Sequence, residues 1–535
     1  MNRQLESSSS RLAIALNRYL DASLAMGNSC TKQSPTDQTF RDPAILLNQL
    51  PRATLFEQKI QRAKTAIGFA RNRSPAIVPI HRLPPELLSH IFGYIVVYNT
   101  CVPNFFGTCQ LQKRLISLTH VCAHWRKIAI SSPSLWSHID ISLPLTEKSR
   151  SCMNTFLSRA GKVPLDLSVS HNPSGSHIFE PEDQINIDLK EIVSPLIHRV
   201  RGLKCNAQPS WLRRSETEFC LSTLSSFLNK DAAPGRLTML DACINSGFRV
   251  FHLQTIEDPQ NEDVLSLDIP AFQLEELLLP VTVLRLHNIF PHWGSKAFHG
   301  LVDLRLCAVN GLISIHELQL ATILRQSPLL RVLEIGIGID FVGAPVVPVA
   351  LYHLEALITR IPSYSQLGRV LRLIDTGSGP LFMTIMDSCM DDELNDNVKQ
   401  FFTHSNVTIL CAIECNGFRR PLELANLIPT IKKVAMTPQP IDPRDFYNQP
   451  GSPIRVRLDM LYLLGRFEFE VNRLRDAVDW SGVERLTIWG HGHEITRNER
   501  PIVNNQVLQN ELSKFGVAVE MISADLPSPI EYFFL

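Results

Sequence analysis

The sequence predicts an α/β protein in which a short helical module precedes an irregular strand/helix solenoid, and three patterns carry that expectation. Between Leu83 and Ile95 apolar residues recur at helical spacing, and a second stripe of the same kind runs from Leu115 to Ala129. After Trp136, short apolar runs alternate with helical stretches to the end of the chain. Within those runs a Leu-x-Leu core returns at Leu284-x-Leu286, Leu304-x-Leu306 and Leu333-x-Ile335. The runner-up is one or two ordinary α/β domains built from the same alternation.

The first helix of the module is set by Leu83-Pro84-Pro85-Glu86. Two prolines preset a first turn in which a missing N–H costs nothing, and Glu86 suits the positive end of the helix dipole. Leu87, Leu88, Ile91, Phe92 and Ile95 then make one apolar face. After the connection from Tyr94 to Arg114, the residues Leu115, Leu118, Cys122, Trp125 and Ala129 put a stripe on one second helix, which should stop at Ser131-Ser132-Pro133.

The succession Leu83-Pro84-Pro85-Glu86-Leu87-Leu88, Ile91-Phe92, Val121-Cys122, Trp125-Arg126, Ile128-Ala129, Pro133 and Leu135-Trp136 resembles an F-box, the helical module that docks onto a Skp-type adaptor of cullin-RING ubiquitin ligases. Its connection is longer than in the compact form of that module. The resemblance implies a Skp-type adaptor, and through it a cullin, as partners. It also implies Leu83, Pro84, Leu87, Leu88, Ile91, Phe92, Trp125, Leu135 and Trp136 as adaptor-binding residues. A hairpin of this size cannot internalise all that apolar surface, so a partner should cover part of it. Leu157 to Leu165 is similar to the segment directly after the F-box in many fungal proteins, and the chain as a whole resembles the F-box proteins with degenerate leucine-rich-repeat-like C-terminal regions abundant in basidiomycete fungi. A plain helical hairpin at the edge of another domain is the bland alternative.

In chain order, residues 1–54, with a serine run and polar stretches, are expected to be largely disordered, apart from a transient helix through Leu12, Leu16, Tyr19, Leu20 and Leu24. Residues 55–78 read as a leading helix and 79–138 as the F-box-like domain. Residues 139–535 read as a leucine-rich-repeat-like solenoid, a possible substrate-binding domain. It should open on a strand at Ile139–Leu143, a helix at Glu147–Ala160 stopped by Gly161, and a strand at Pro164–Val169, a unit that favours parallel pairing. Further strands are expected at 237–242, 274–279, 283–287, 301–309, 330–335, 369–374, 407–413, 431–435, 456–462, 483–489 and 517–522, and helices around Ile315–Leu324, Leu351–Leu357 and Leu422–Ile428.

With 535 residues, 44% of them hydrophobic and 19% charged, the chain has material for more than one core. Lys plus Arg and Asp plus Glu both total 52, a balance that argues against nucleic acid and membrane surfaces as partners. No apolar run is long enough to span a bilayer, and Arg18 and Asp21 interrupt what would be a signal sequence. The expected location is intracellular, cytoplasmic or nuclear. The 12 cysteines follow no disulfide framework and read as free thiols. Cys101, Cys109, His120, Cys122 and His124 fit no zinc spacing, so no metal is expected.

Motifs for chemistry are sparse. The chain has no phosphate loop and no nucleophile elbow; Gly336-Ile337-Gly338 does not complete a dinucleotide fingerprint and reads as a turn. Asp391, Asp392 and Glu393 read as a solvated turn. Gly490-His491-Gly492-His493 after a strand is the one place for an α/β enzyme site, set against a plain glycine turn. The expectation is therefore a non-catalytic adaptor of a ubiquitin ligase complex without cofactor, binding the adaptor through the F-box and an unknown target protein through the repeats. A repeat scaffold with a purely structural hairpin is the alternative. On repeat strands the residues between the leucines face away from the core, so Arg285, Arg305, Glu334 and Arg372 are expected along one surface, with the three arginines as possible target-binding residues for an acidic or phosphorylated segment.

Overall fold

The structure, a computed structural model, describes residues 2–32, 43–97, 110–171, 189–255 and 264–522, apart from residues 75, 144, 190, 208–212, 230–231, 233–234, 245–248, 310–312, 342, 344–345, 362, 387–394, 416–417, 439–455, 466–467, 491–493, 498–499, 502–512 and 515. It divides into two compact units between Pro84 and Pro85. The expected boundary at residue 138 falls inside the second unit.

In the first unit, helices Asn2–Lys32 (α1) and Pro43–Arg73 (α2) precede a single 3-10 turn at Pro79–Arg82. Helix covers residues 2–32, where a largely disordered segment with a transient helix through Leu12 to Leu24 is expected, and α2 starts at Pro43, before the expected residue 55. The reason is side-chain spacing. Leu5, Leu12, Leu16, Tyr19 and Met26 fall on the first and fourth positions of a seven-residue repeat, and the ring of Tyr19 meets that of Phe56 edge-on at 5.9 Å.

The second unit opens with helix Pro85–Val97 (α3), with Pro85 at the first helical position. The expected single second helix is two helices, Gln110–Val121 (α4) and Ala123–Ile130 (α5). Cys122 breaks them: its backbone is extended, and its Sγ accepts the N–H of Trp125 at 3.4 Å as an N-cap. A 3-10 turn at Pro133–Trp136 leads into the sheet.

Among the described residues, fourteen strands form one sheet: His138–Leu143, Leu165–His171, Val200–Ala207, Met239–Ile244, Val283–His287, Asp303–Cys307 and Val332–Gly336 (β1–β7), then Ala356–Thr359, Leu381–Met386, Val407–Cys415, Lys433–Pro438, Met460–Leu464, Arg485–Trp489 and Ala518–Ile522 (β8–β14). They lie side by side in chain order, and each neighbouring pair is parallel. Parallel neighbours need a crossover, supplied in part by helices Glu147–Ala160 (α6), Arg213–Phe227, Ala271–Leu278, Glu317–Arg325, Tyr364–Leu371, Asp396–His404, Arg419–Asn426 and Val471–Ser481 (α7–α13). Thr146 caps α6, and Gly161 ends it at φ 57°.

One register row runs through Leu167, Leu203, Leu240, Leu284, Leu304, Leu333, Leu357, Met383, Leu410, Val434, Leu461 and Leu486. Every member is buried. This row is the continuous core, and it places the alternate residues of each strand on the opposite face. The Leu-x-Leu runs are its central strands. Three expected elements change type. The expected strand at Leu274–Leu279 is helix α8, because Leu274, Leu277 and Leu278 turn inward at helical spacing while Glu276 stays exposed and Glu275 is half-buried. The expected helix at Leu351–Leu357 ends in strand β8, and the expected strand at Arg369–Ile374 is the end of α10 followed by a two-residue strand, Ile374–Asp375. Gly336 closes β7 and Gly338 opens a short strand, so the glycine pair marks a corner. A Cβ on Gly336 would stand 3.2 Å from the Cβ of Arg360 and 3.3 Å from the Sγ of Cys307.

Candidate functional site

The helical module sorts its apolar residues into two sets. Leu88, Phe92, Leu135 and Trp136 are buried, with Leu88, Phe92 and Trp136 at 0% exposure. Phe92 packs on Trp125 at 4.9 Å between ring centres. Trp136 donates its indole N–H to the Ala129 carbonyl at 2.7 Å, meets Phe156 of α6 edge-on at 4.8 Å, and lies under the Arg159 guanidinium at 4.3 Å. The module and α6 therefore share one core. The second set stays at the surface: Leu87 is 50% exposed, Tyr94 65% and Ile95 40%, with Ile91 half-buried between them. At about 100° per residue these four lie on one side of α3, next to the stripe that carries Leu88 and Phe92. Val121 at the end of α4 and Ile130 at the end of α5 are also exposed.

Of the expected adaptor-binding residues, the structure leaves Leu87 and Pro84 exposed and Leu83, Ile91 and Trp125 half-buried. Leu88, Phe92, Leu135 and Trp136 instead build the interior. Sequence reasoning missed Tyr94 as a surface residue, and its signal was there: it continues the Leu87, Ile91 spacing. The buried Nε1 of Trp125 has no hydrogen-bond partner among the described residues.

The second candidate surface is the sheet face opposite the leucine row. There, Lys204, Asp241, Arg285, Arg305 and Glu334 are register partners on β3 to β7. They form a paired lattice rather than a row of open cations. Arg285 reaches Asp303 at 2.6 and 3.1 Å. Arg305 reaches the same carboxylate at 2.9 Å and Glu334 at 3.6 Å, and Arg360 reaches Glu334 at 2.5 Å. The side chains of Arg285 and Arg305 are only 18% and 12% exposed, so much of their donor capacity is directed inward. Burial alone would lower the pKa of Arg360; its attraction and hydrogen bond to Glu334 outweigh that and raise it. Arg372 is not on this face. It follows α10 and pairs with the buried Glu317, with Nε donating at 2.9 Å, and stacks over Phe341. The expected row of three arginines is thus a pair on neighbouring strands plus an arginine held elsewhere.

Beyond β7 the same face turns apolar. Ala356, Phe382, Cys411, Ala435, Tyr462 and Leu464 form a buried cluster there, flanked by Val332, Met460 and Trp489. Burial pushes the Cys411 thiol up to about 12 and raises the Tyr462 phenol. Nearer the ion pairs, Cys243 and His287 meet at 3.3 Å, and burial pulls the imidazole below the ordinary histidine value.

The apolar cavity lined by Leu240, Leu253, Leu278, Leu284, Leu286 and Ala297, among others, holds no ionisable group. Among the described residues no three metal-ligating side chains come together, and no helix is long and apolar enough to cross a membrane. His491, His493, Asp391, Asp392, Glu393, Cys101 and Cys109 lie outside the described residues.

No curated protein matches the chain. Residues 80–142 match the F-box-like family, and an F-box-like domain points to a part in ubiquitin-ligase adaptor or substrate recognition in general.

Proposed function

We propose that the chain is a substrate-recruiting subunit of a Skp/cullin/F-box type ubiquitin ligase. The helical module binds a Skp-type adaptor, which links it to a cullin, and the sheet holds a target protein. The observation that carries this reading is the outward apolar side of α3, with Leu87, Ile91, Tyr94 and Ile95, inside the segment that matches the F-box-like family. An apolar strip on a helix whose other side is already packed is the kind of surface a partner covers. In this reading the chain brings no reacting group; it raises the target's local concentration beside the charged enzyme.

The in-order parallel pairing of the strands and their single leucine row support a leucine-rich-repeat-like solenoid for residues 139–535. Its strand face is the target surface. Arg285, Arg305 and Arg360 share two carboxylates there, which leaves the lattice one positive charge in excess and suits an acidic target segment.

A second reading has its own observation. The contact of Trp136 with Phe156 joins the module to the sheet's first helix, so the module also works as a cap for a non-ligase repeat scaffold.

One experiment separates them. Leu87→Asp with Ile91→Asp places charge in the outward strip and leaves the interior alone. Co-purification with a recombinant Skp-type adaptor should be lost while the circular dichroism spectrum stays that of the wild type. Adaptor retained at the wild-type level would leave the scaffold reading. Leu88→Asp serves as the contrast: it should unfold the module, because Leu88 is fully buried.

A further inference from the structure

The first unit carries an apolar seam that its own two helices do not cover. Tyr19 lies thirteen residues before the end of α1, and Phe56 thirteen residues after the start of α2. Their ring contact, with the Tyr19 hydroxyl donating to Gln49 at 3.4 Å, therefore sets the helices side by side and antiparallel. On α2 the residues Ala53, Phe56, Ile60, Ala63, Ile67 and Ala70 alternate spacings of three and four, the pattern of a helix-packing seam. Yet Leu12 is 48% exposed, Phe56 40%, Ile60 38% and Ile67 52%. Two helices alone leave these side chains about half in water.

The charges beside the seam say what would cover it. Together α1 and α2 carry ten Arg and Lys against three Asp and Glu, although the whole chain is balanced at 52 of each. On α2 the positions flanking the seam hold Arg52, Lys59, Lys64 and Arg71 against a single acid, Glu57; these are the places from which coiled-coil helices choose partners by charge. A second copy of this hairpin would set these cations against one another. A lipid surface asks for a broad face of bulky apolar residues, whereas the α2 stripe is narrow and has alanine at three of its six members, Ala53, Ala63 and Ala70, which lets another helix approach closely.

We propose that the α1–α2 hairpin docks a helix of another protein, one with an apolar heptad stripe flanked by Glu or Asp. The occupant adds a third helix over Leu12, Ile60 and Ile67, and its carboxylates pair with Lys59, Lys64 and Arg71. This site is independent of the adaptor and target surfaces above.

The test uses the full chain and a labelled synthetic peptide of about 28 residues, four heptads with Leu in the stripe and Glu at the flanks, followed by fluorescence anisotropy. Saturable binding is expected, weaker by about tenfold or more between roughly 50 and 300 mM salt. The same peptide with Lys flanks should not bind. Ile67→Glu should abolish binding; should that variant lose helix content, Lys59→Glu with Lys64→Glu leaves the stripe intact and should shift preference to the Lys-flanked peptide. Equal binding of both peptides, or of neither, overturns the proposal. So does a monomer–dimer equilibrium in sedimentation that Ile67→Glu removes, which assigns the seam to a second copy. Uptake of the chain by phosphatidylserine vesicles, lost in the same variant, assigns it to lipid and likewise overturns it.

Discussion

Asp303 on β6 holds two arginines, Arg285 of the neighbouring β5 at 2.6 Å and Arg305 two residues along its own strand at 2.9 Å, with its own side chain only 9% exposed. A carboxylate in that position is a structural tie before it is anything else. Asp303→Asn should therefore destabilise the second unit by about 3 kcal/mol, because Arg285 loses its counter-charge away from water and Arg305 is left with Glu334. Arg331→Ala, which breaks a pair with Glu355 in which both partners are more than half exposed, should cost no more than about 1 kcal/mol. Urea midpoints of the two variants measure the contrast, and the Asp303 effect should persist in high salt.

The tie between the module and α6 gives a second prediction. Trp136→Ala should cost about 3 to 5 kcal/mol, the range for emptying a large aromatic site. Trp136→Phe should cost roughly 1 to 3 kcal/mol, since the Ala129 carbonyl loses the shorter of its two hydrogen bonds and keeps that from the Ser132 N–H, while a ring remains against Phe156. Near-equal losses for the two would mean that the hydrogen bond, not the packing, dominates.

Acid should weaken the fold through His287. Burial lowers its pKa in the folded protein, so as pH falls through the ordinary value of about 6.5 the unfolded chain takes up a proton that the folded chain does not. The contribution is fully present above that value and is lost towards the lower folded value. His171 shifts in the same direction for the same reason. Melting temperatures from pH 7.5 to 5.5 should fall more steeply for the wild type than for His287→Asn; parallel curves would show that His287 contributes nothing.

The helix break at Cys122 predicts that a better cap is tolerated. Cys122→Ser keeps an acceptor for the Trp125 N–H and should leave stability unchanged or slightly raised, whereas Cys122→Val removes it and should cost about 1 kcal/mol. Thermal melts of the two variants decide it.

Much of this architecture is legible in the residues, for reasons those residues show. Val283–His287 and Glu147–Ala160 carry clean periods of two and 3.6, and the structure gives them those bounds. The break at Cys122 is not legible, because a cysteine that caps a helix also fits an apolar stripe. Arg369 to Ile374 reads equally as strand or helix end, and the pairing of Arg372 with Glu317, 55 residues earlier, can be seen only in three dimensions. At the candidate site the limit is sharper. Leu87 and Leu88 are chemically identical neighbours, and only the packing of Phe92 and Trp136 decides which of them turns outward.

A sheet whose strands pair strictly in order has a consequence for how the chain is made. During synthesis each new strand emerges when its only template, the strand before it, has already left the ribosome. The first strand has no such predecessor. Trp136, fastened to α5 and seated on Phe156, gives β1 its anchorage before any later leucine exists. The helical module is then the primer from which the sheet is laid down, and damage to it should show first as loss of yield during translation.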